Sequence, residues 1–313
     1  MSAILQLSPY TPDSINSDLA HLAPTHHLWK LKDSETLPAQ IAQNVTIVAT
    51  KGDLGLPRAL MNQLPNLQLI SVYGVGYDGI DLSEAKTRGI RITTTPESLT
   101  NAVADMAVAL ALAGSRRLVE GDHFVRAGHW LDRKLGTGFD IRGKRVGIFG
   151  YGRIGRKIAQ ILQAFDCTTL YYDINQHSDS TSQSVGSLQE LAEQSRVFIV
   201  SASGGPQTRN AVNQKILEAL GPDGLLVNVA RGSIVNQSDL IEALENGTIG
   251  GACLDVFEDE PNVPSALCKA KNVILTPHIS SATHETRLNM GRVLTDNINA
   301  FLSGEPLLTP LHL

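Results

Sequence analysis

The stretch Val146-Gly147-Ile148-Phe149-Gly150-Tyr151-Gly152-Arg153-Ile154-Gly155-Arg156 limits the possible folds more than any other. A mostly apolar run comes first and reads as a buried strand. Gly150, Gly152 and Gly155 follow in the order G-x-G-x-x-G, and Ile158, Ala159, Ile161 and Leu162 then carry helical apolar spacing. Strand, glycine turn and helix in that order form the phosphate-binding unit of a dinucleotide fold. The first glycine permits a tight turn, the second lets a pyrophosphate approach the backbone, and the third lets helix pack closely on strand. Free N–H groups at the helix start receive the phosphates, so contacts are expected at Gly150, Gly152, Arg153, Ile154 and Gly155. A second apolar run, 168–172, ends at Asp173, eighteen positions past Gly155. An acid at that distance accepts the ribose hydroxyls of an adenosine and disfavours a 2′-phosphate, which predicts NAD as cofactor with NADH preferred to NADPH.

The chain has 313 residues, which suggests two domains, and its 42% hydrophobic content is enough for two cores. A net charge of −5 gives no global attraction to nucleic acid or to an anionic membrane. No apolar run approaches the ~20 residues of a membrane span. The start, Met1 to Leu7, lacks the basic flank of a signal peptide and reads as a first strand. Cys167, Cys253 and Cys268 are odd in number and lack metal-ligand spacing, so the expectation is reduced thiols, a cytoplasmic location and no metal.

In the first hundred residues, apolar runs at 4–7, 45–49, 67–72 and 90–94 alternate with helical patterns, the signature of a parallel α/β layer. Two turns follow strands there. Gly74-Val75-Gly76-Tyr77-Asp78 offers closely spaced backbone N–H groups that can hold a carboxylate, although composition alone favours a plain glycine turn closed by Asp78. Lys51, in Thr50-Lys51-Gly52, reads as a solvated charge. Thr95-Pro96-Glu97 then breaks the pattern, and 102–113 reads as a long helix buried on most sides. Asp105 within it is either a polar anchor between domains or the mark of a narrow solvent strip.

Further along, the polar tract 176–187 reads as a surface loop. Apolar runs at 197–200, 225–230, 252–257 and 273–276 read as successive strands. After the first comes Ser203-Gly204-Gly205, a glycine pair expected against the adenosine side of the cofactor. The next three end in Ala230-Arg231, in Asp255 with Glu260, and in His278. Ligands of open α/β sheets bind outside the carboxyl ends of the strands, so an arginine, a carboxylate and a histidine converge on the edge that carries the glycine loop. Reduction of a 2-keto acid needs a hydride donor, a carboxylate clamp and a proton donor. The planar fork of Arg231 suits the clamp. His278 suits the general acid, and Glu260 beside it favours the imidazolium and fixes its orientation. The last helix is expected over 285–300. Arg287 on it either approaches a substrate mouth or, as the plainer reading, makes a surface ion pair.

Over residues 45–311 these features together resemble the D-2-hydroxyacid dehydrogenases, and most closely their glyoxylate/hydroxypyruvate reductase branch. The resemblance is carried by Gly74-Val75-Gly76-Tyr77-Asp78, the glycine loop, Val229-Ala230-Arg231-Gly232, Asp255-Val256-Phe257 ending in Glu260-Pro261, and Thr276-Pro277-His278 with Ser281-Ala282-Thr283. It implies two doubly wound parallel-sheet domains, a Rossmann nucleotide domain (98–286) inserted into a smaller flavodoxin-like substrate domain (1–97 and 287–313). It makes Arg231, Glu260 and His278 the catalytic three. It assigns Asp255 to the nicotinamide amide, and Val75 and Gly76 to the substrate carboxylate through backbone N–H. A homodimer is also implied. Two positions depart from the common pattern: Asp105 replaces a usual Glu, and Ser280 replaces a small Gly or Ala, adding a hydroxyl near the nicotinamide. The end at Leu313 argues against the phosphoglycerate dehydrogenases with a regulatory extension, and Glu260 argues against formate dehydrogenases, whose histidine pairs with glutamine. A different class shares the fold, an NAD-sensing corepressor, which needs an exposed partner groove or a peptide-binding tail; the sequence has no extended disordered tail.

Overall fold

The computed structural model describes residues 2–31, 36–175, 177 and 182–312. Met1, Gln176 and residues 178–181 of the expected loop therefore lie outside the described residues. The chain divides into two compact units, Met1–Leu99 with Ala282–Leu313, and Thr100–Ser281.

The first unit holds a five-stranded sheet of β1 (Ala3–Gln6), β2 (Thr25–His27), β3 (Val45–Lys51), β4 (Leu69–Tyr73) and β5 (Arg91–Thr93), in the order β2-β1-β3-β4-β5. All pairs are parallel, and this is the flavodoxin-like order. The inner strands β1 and β4 are buried along their whole length, which explains their continuous apolar runs. The edge strand β2 is Thr-His-His and only half-buried, so no hydrophobic signal marks it. The helix His284–Leu302 belongs to this unit and packs on the helix Ser14–Leu22 and on β4; a Cβ on Gly291 would lie 2.6 Å from Ile15. Thr283 caps it, accepting from the Thr286 amide at 3.2 Å. This helix is continuous from its cap, so the unit boundary falls after Ser281 rather than after 286, and the first boundary after Leu99 rather than after 97. Beyond the helix, the buried Asn297 accepts from the amides of Leu308 and Thr309, and Leu311 donates to Ile92. The tail is thereby tied to the β5 edge.

The second unit holds seven parallel strands, β6 (Arg145–Phe149), β7 (Thr168–Tyr172), β8 (Gln183–Ser184), β9 (Val197–Val200), β10 (Leu225–Asn228), β11 (Gly251–Leu254) and β12 (Val273–Leu275). Their order is β12-β11-β10-β9-β6-β7-β8, the doubly wound order that reverses between β6 and β9. The helix Thr100–Ser115 packs on β10, on β11 and on the helix Arg153–Gln163. Its approach to the sheet is close: a Cβ on Gly114 would lie 2.7 Å from the sulfur of Cys253. Burial there pushes the Cys253 thiol up to about 12. Asp105 is exposed with Asn101 and Ala109, so it marks a solvent strip on this helix.

Candidate active site

The strand order of the second unit reverses between β6 and β9, and the glycine loop sits at that point. Gly150 has φ +92°, and a Cβ there would overlap the backbone of Ala202 on the loop after β9. A Cβ on Gly155 would overlap the carbonyl of Gly150, so the third glycine sets the distance between helix and strand. Gly152 differs, because a Cβ there meets nothing within 4 Å. Packing within the protein does not require that glycine. It keeps open the space before the helix Arg153–Gln163, where no side chain caps the free N–H groups. These residues fit a bound pyrophosphate: Gly152 and Arg153 are exposed, Ile154 is half-buried, and Gly155 is packed beneath.

Asp173 follows β7, and its Oδ2 accepts from the Tyr151 amide at 2.6 Å while its Oδ1 accepts from the Asn175 amide at 2.8 Å. The carboxylate thus bridges the glycine loop to the strand that should carry the ribose. Tyr151, a variable position of the motif, is fully buried and stacks on Tyr171 with centroids 4.0 Å apart. Sequence reasoning missed this support, because the motif leaves that position open. Gly204 is half-buried on the loop after β9, and that loop is joined to the glycine loop by the Ser201 hydroxyl, which donates to the Gly150 carbonyl at 2.7 Å.

The next three strand ends carry the polar side chains. After β10, the buried Asn228 accepts from the Ala230 amide at 3.1 Å and donates to the Arg231 carbonyl at 3.0 Å. Read from sequence, Asn228 is one more residue of a strand; in the structure it shapes the turn that presents Arg231. A Cβ on Gly232 would overlap the backbone of Phe257, so this turn presses against the segment that leads to Glu260.

After β11, Glu260 accepts from the Phe257 amide at 2.9 Å through Oε1 and meets His278 Nδ1 at 2.7 Å through Oε2. Partial burial pushes the Glu260 carboxyl up. Hydrogen bonds from His278 and the Phe257 amide, with the charges of His278 and Arg231, outweigh this and leave it below the ordinary carboxylate value. An ionised Glu260 accepts only, so Nδ1 donates.

His278 has φ +52°, and its amide donates to the Asp255 carbonyl at 2.9 Å. Asp255 itself is fully buried. Its carboxylate accepts from the Thr276 hydroxyl (2.6 Å), the Ile279 amide (2.9 Å), and both the amide (2.8 Å) and the hydroxyl of Ser280. Asp255, expected at the nicotinamide amide, is directed in the structure to the loop that carries His278. It has no exposed surface and fixes the loop of His278. The Ser280 hydroxyl, expected near the nicotinamide, is likewise buried and turned to Asp255.

In the first unit, Gly74 is pinned on both sides, its amide donating to Thr95 Oγ1 and its carbonyl accepting from the Thr95 amide. Among the described residues, the amides of Val75 and Gly76 that follow have no hydrogen-bond partner. The turn therefore offers two free donors, as a carboxylate site requires.

Residues 108–280 match the family model "D-isomer specific 2-hydroxyacid dehydrogenase, NAD binding domain". The chain is 42% identical over 285 residues to a hydroxyphenylpyruvate reductase of Plectranthus scutellarioides, covering 90% of each chain. It is 40% identical over 283 residues to a glyoxylate/hydroxypyruvate reductase of Arabidopsis thaliana, again covering 90% of each. Its structure is similar to that of an NADPH-dependent glyoxylate/hydroxypyruvate reductase from Sinorhizobium meliloti in complex with NADP and malonate. That similarity has a TM-score of 0.93 at 39% identity and covers 99% of this chain and 96% of the other.

Proposed function

The chain belongs to the D-isomer specific 2-hydroxyacid dehydrogenase family, and on that premise we propose that it reduces small 2-keto acids, hydroxypyruvate and glyoxylate among them, to D-2-hydroxy acids. The observation that carries this reading is the 2.7 Å contact of Glu260 with His278 Nδ1, on a loop that Asp255 holds through four hydrogen bonds. The nicotinamide cofactor, when bound, supplies the hydride. In the second unit Arg231 clamps the substrate carboxylate and polarises the ketone; in the first unit the amides of Val75 and Gly76 are donors suited to a carboxylate. His278 gives its Nε2 proton to the ketone oxygen as general acid, and Glu260 stabilises the imidazolium that precedes this transfer. Gly150, Gly152, Arg153, Ile154 and Gly155 receive the pyrophosphate, with Gly204 and Ala230 along the rest of the cofactor.

Asp173 supports NADH as the preferred cofactor. A 2′-phosphate would face its carboxylate, and a like-charge contact costs of order a few kcal/mol in a partly buried site. The Sinorhizobium relative is NADPH-dependent, so the choice within this family is set locally. A cytoplasmic homodimer completes the reading, and three free cysteines and an exposed apolar patch on the second unit support it. The test is loss of NADH or NADPH absorbance with hydroxypyruvate and with glyoxylate. Turnover with both acids is expected, with kcat/KM at least ~10-fold higher for NADH. Absence of turnover with every 2-keto acid overturns the activity, and equal kcat/KM with the two cofactors overturns the role of Asp173.

A further inference from the structure

Two cations that the mechanism above does not use, Lys51 at the end of β3 and Arg287 from the last helix, lie near Tyr73 at the end of β4. Lys51 ends β3 and is the register partner of Tyr73, which ends β4, so their side chains leave the same face of the sheet. Arg287 comes from the first turn of the helix His284–Leu302, and its guanidinium carbon lies 5.8 Å from the Tyr73 ring centroid. The Tyr73 hydroxyl donates to the Arg287 carbonyl at 2.9 Å, and Tyr10 stacks on the Tyr73 ring with centroids 4.7 Å apart. Tyr10 is anchored in turn through its hydroxyl to the Thr50 carbonyl at 3.2 Å. The tyrosine is thus fixed, with one cation over its ring and the other beside it in the register.

Lys51 is not the solvated charge, nor Arg287 the surface ion pair, that the sequence suggests. Both are half-buried, and among the described residues neither has a carboxylate within ion-pair distance. Burial pushes the Lys51 ammonium below its ordinary value, the nearby Asp53 works against this, and Arg287 adds to it. Two like charges that act on each other, with no carboxylate paired to either among the described residues, form an arrangement that a bound anion relieves. The strand that ends in Tyr73 runs directly into Gly74-Val75-Gly76, so the free amides follow the tyrosine by two and three residues.

We propose that Lys51 and Arg287 form a second anion subsite beside the Val75–Gly76 turn, and that the protein prefers 2-keto acids whose substituent carries a further carboxylate or other anionic group. This rests on the keto-acid reading above: the turn takes the first carboxylate, and the cations take the second. It also separates two roles for Lys51, since a cation that served only the first carboxylate would help every 2-keto acid alike.

The test compares kcat/KM for oxaloacetate, pyruvate and glyoxylate in the wild type, Lys51→Met and Lys51→Arg, with thermal melting to confirm folding. Lys51→Met is expected to lower the oxaloacetate-to-pyruvate ratio by about ten- to a hundred-fold, the scale of one charge-assisted contact, mainly through KM. Lys51→Arg should restore most of the ratio. A uniform fall with all three acids, or an unmoved ratio, overturns the proposal. A wild type that reduces none of them instead overturns the keto-acid reading, which is a separate outcome. If Lys51→Met does not fold, inhibition of the wild type reads the same subsite. Succinate should then bind at least ~10-fold tighter than butyrate, with an advantage that salt erodes, and equal inhibition overturns the proposal.

Discussion

His278 and Glu260 form a coupled pair, and the coupling acts in both directions. The histidine helps to hold Glu260 below the ordinary carboxylate value, so Glu260 is ionised throughout the range in which an imidazole titrates. By the same interaction, the ionised carboxylate favours the imidazolium. Reduction requires the proton on His278, so its rate falls as pH rises through that titration, whereas oxidation requires the neutral ring and rises there. Glu260→Gln removes the charge and keeps most of the shape. Both limbs are expected to move toward lower pH, and pH profiles of kcat/KM in the two directions measure this; limbs that coincide with those of the wild type would remove Glu260 from its role. The sign for stability is independent of catalysis. Because the folded value is lowered, the contribution of Glu260 is present above the ordinary carboxyl range and is lost as pH falls through the lowered value. Arg231 is tested at the same scale. Arg231→Lys keeps the charge and loses the planar fork, and kcat/KM for the keto acid is expected to fall by at least ~100-fold with NADH affinity nearly unchanged. Turnover like that of the wild type would remove Arg231 from the clamp.

At the scale of elements, the site is a set of strand ends held in register by buried polar side chains. Asp255 shows what this requires. Four donors from residues 276–280 converge on a carboxylate with no exposed surface, and they fix a loop in which His278 has positive φ. Asp255→Asn sets an amide NH2 against donors that need acceptors. A stability loss of about 1–3 kcal/mol is expected from the unsatisfied groups, together with a fall in kcat of at least ~10-fold as His278 loses its position. Melting temperature and NADH affinity separate this role from direct cofactor contact: a large loss of NADH affinity at unchanged melting temperature would assign Asp255 to the nicotinamide instead. The central strands were legible in the sequence because parallel strands buried on both faces read as continuous apolar runs, as in β9 (Val-Phe-Ile-Val). Edge strands give no such signal, and β2 and the exposed pair Gln183–Ser184 passed unmarked. The places of Arg231, Glu260 and His278 beyond strand ends were legible because each follows an apolar run. Asn228 and Tyr151 were not, because their work is hydrogen bonding and stacking across segments distant in sequence. The burial of Lys51 was also hidden, since it depends on neighbours from another strand and from the last helix.

For the molecule as a whole, the second unit exposes several large apolar side chains close together in the sequence. Leu118 is 64% exposed, Val125 54%, Trp130 72% and Leu131 91%, all within fourteen positions of the chain. Single exposed hydrophobics are ordinary, but an indole and three aliphatic side chains on one short segment suit an association surface. The segment comprises the helix Leu118–Arg126 and a single turn, His129–Leu131, and Phe124 meets His129 edge-on at 5.7 Å. A two-fold dimer lets the same patch bury itself against its copy, with each anchor used twice. Light scattering is therefore expected to give twice the chain mass of 33.6 kDa at micromolar concentration. The double substitution Trp130→Ser with Leu131→Glu places a charge where the indole and the leucine should be covered, and each removed anchor is worth ~1–3 kcal/mol of apolar burial. It is expected to yield a monomer at the same concentration. These side chains are exposed within the chain, so its melting temperature when dilute should change little. A wild type that is monomeric at micromolar concentration, or a double variant that stays dimeric, would show that this surface is not what joins the copies.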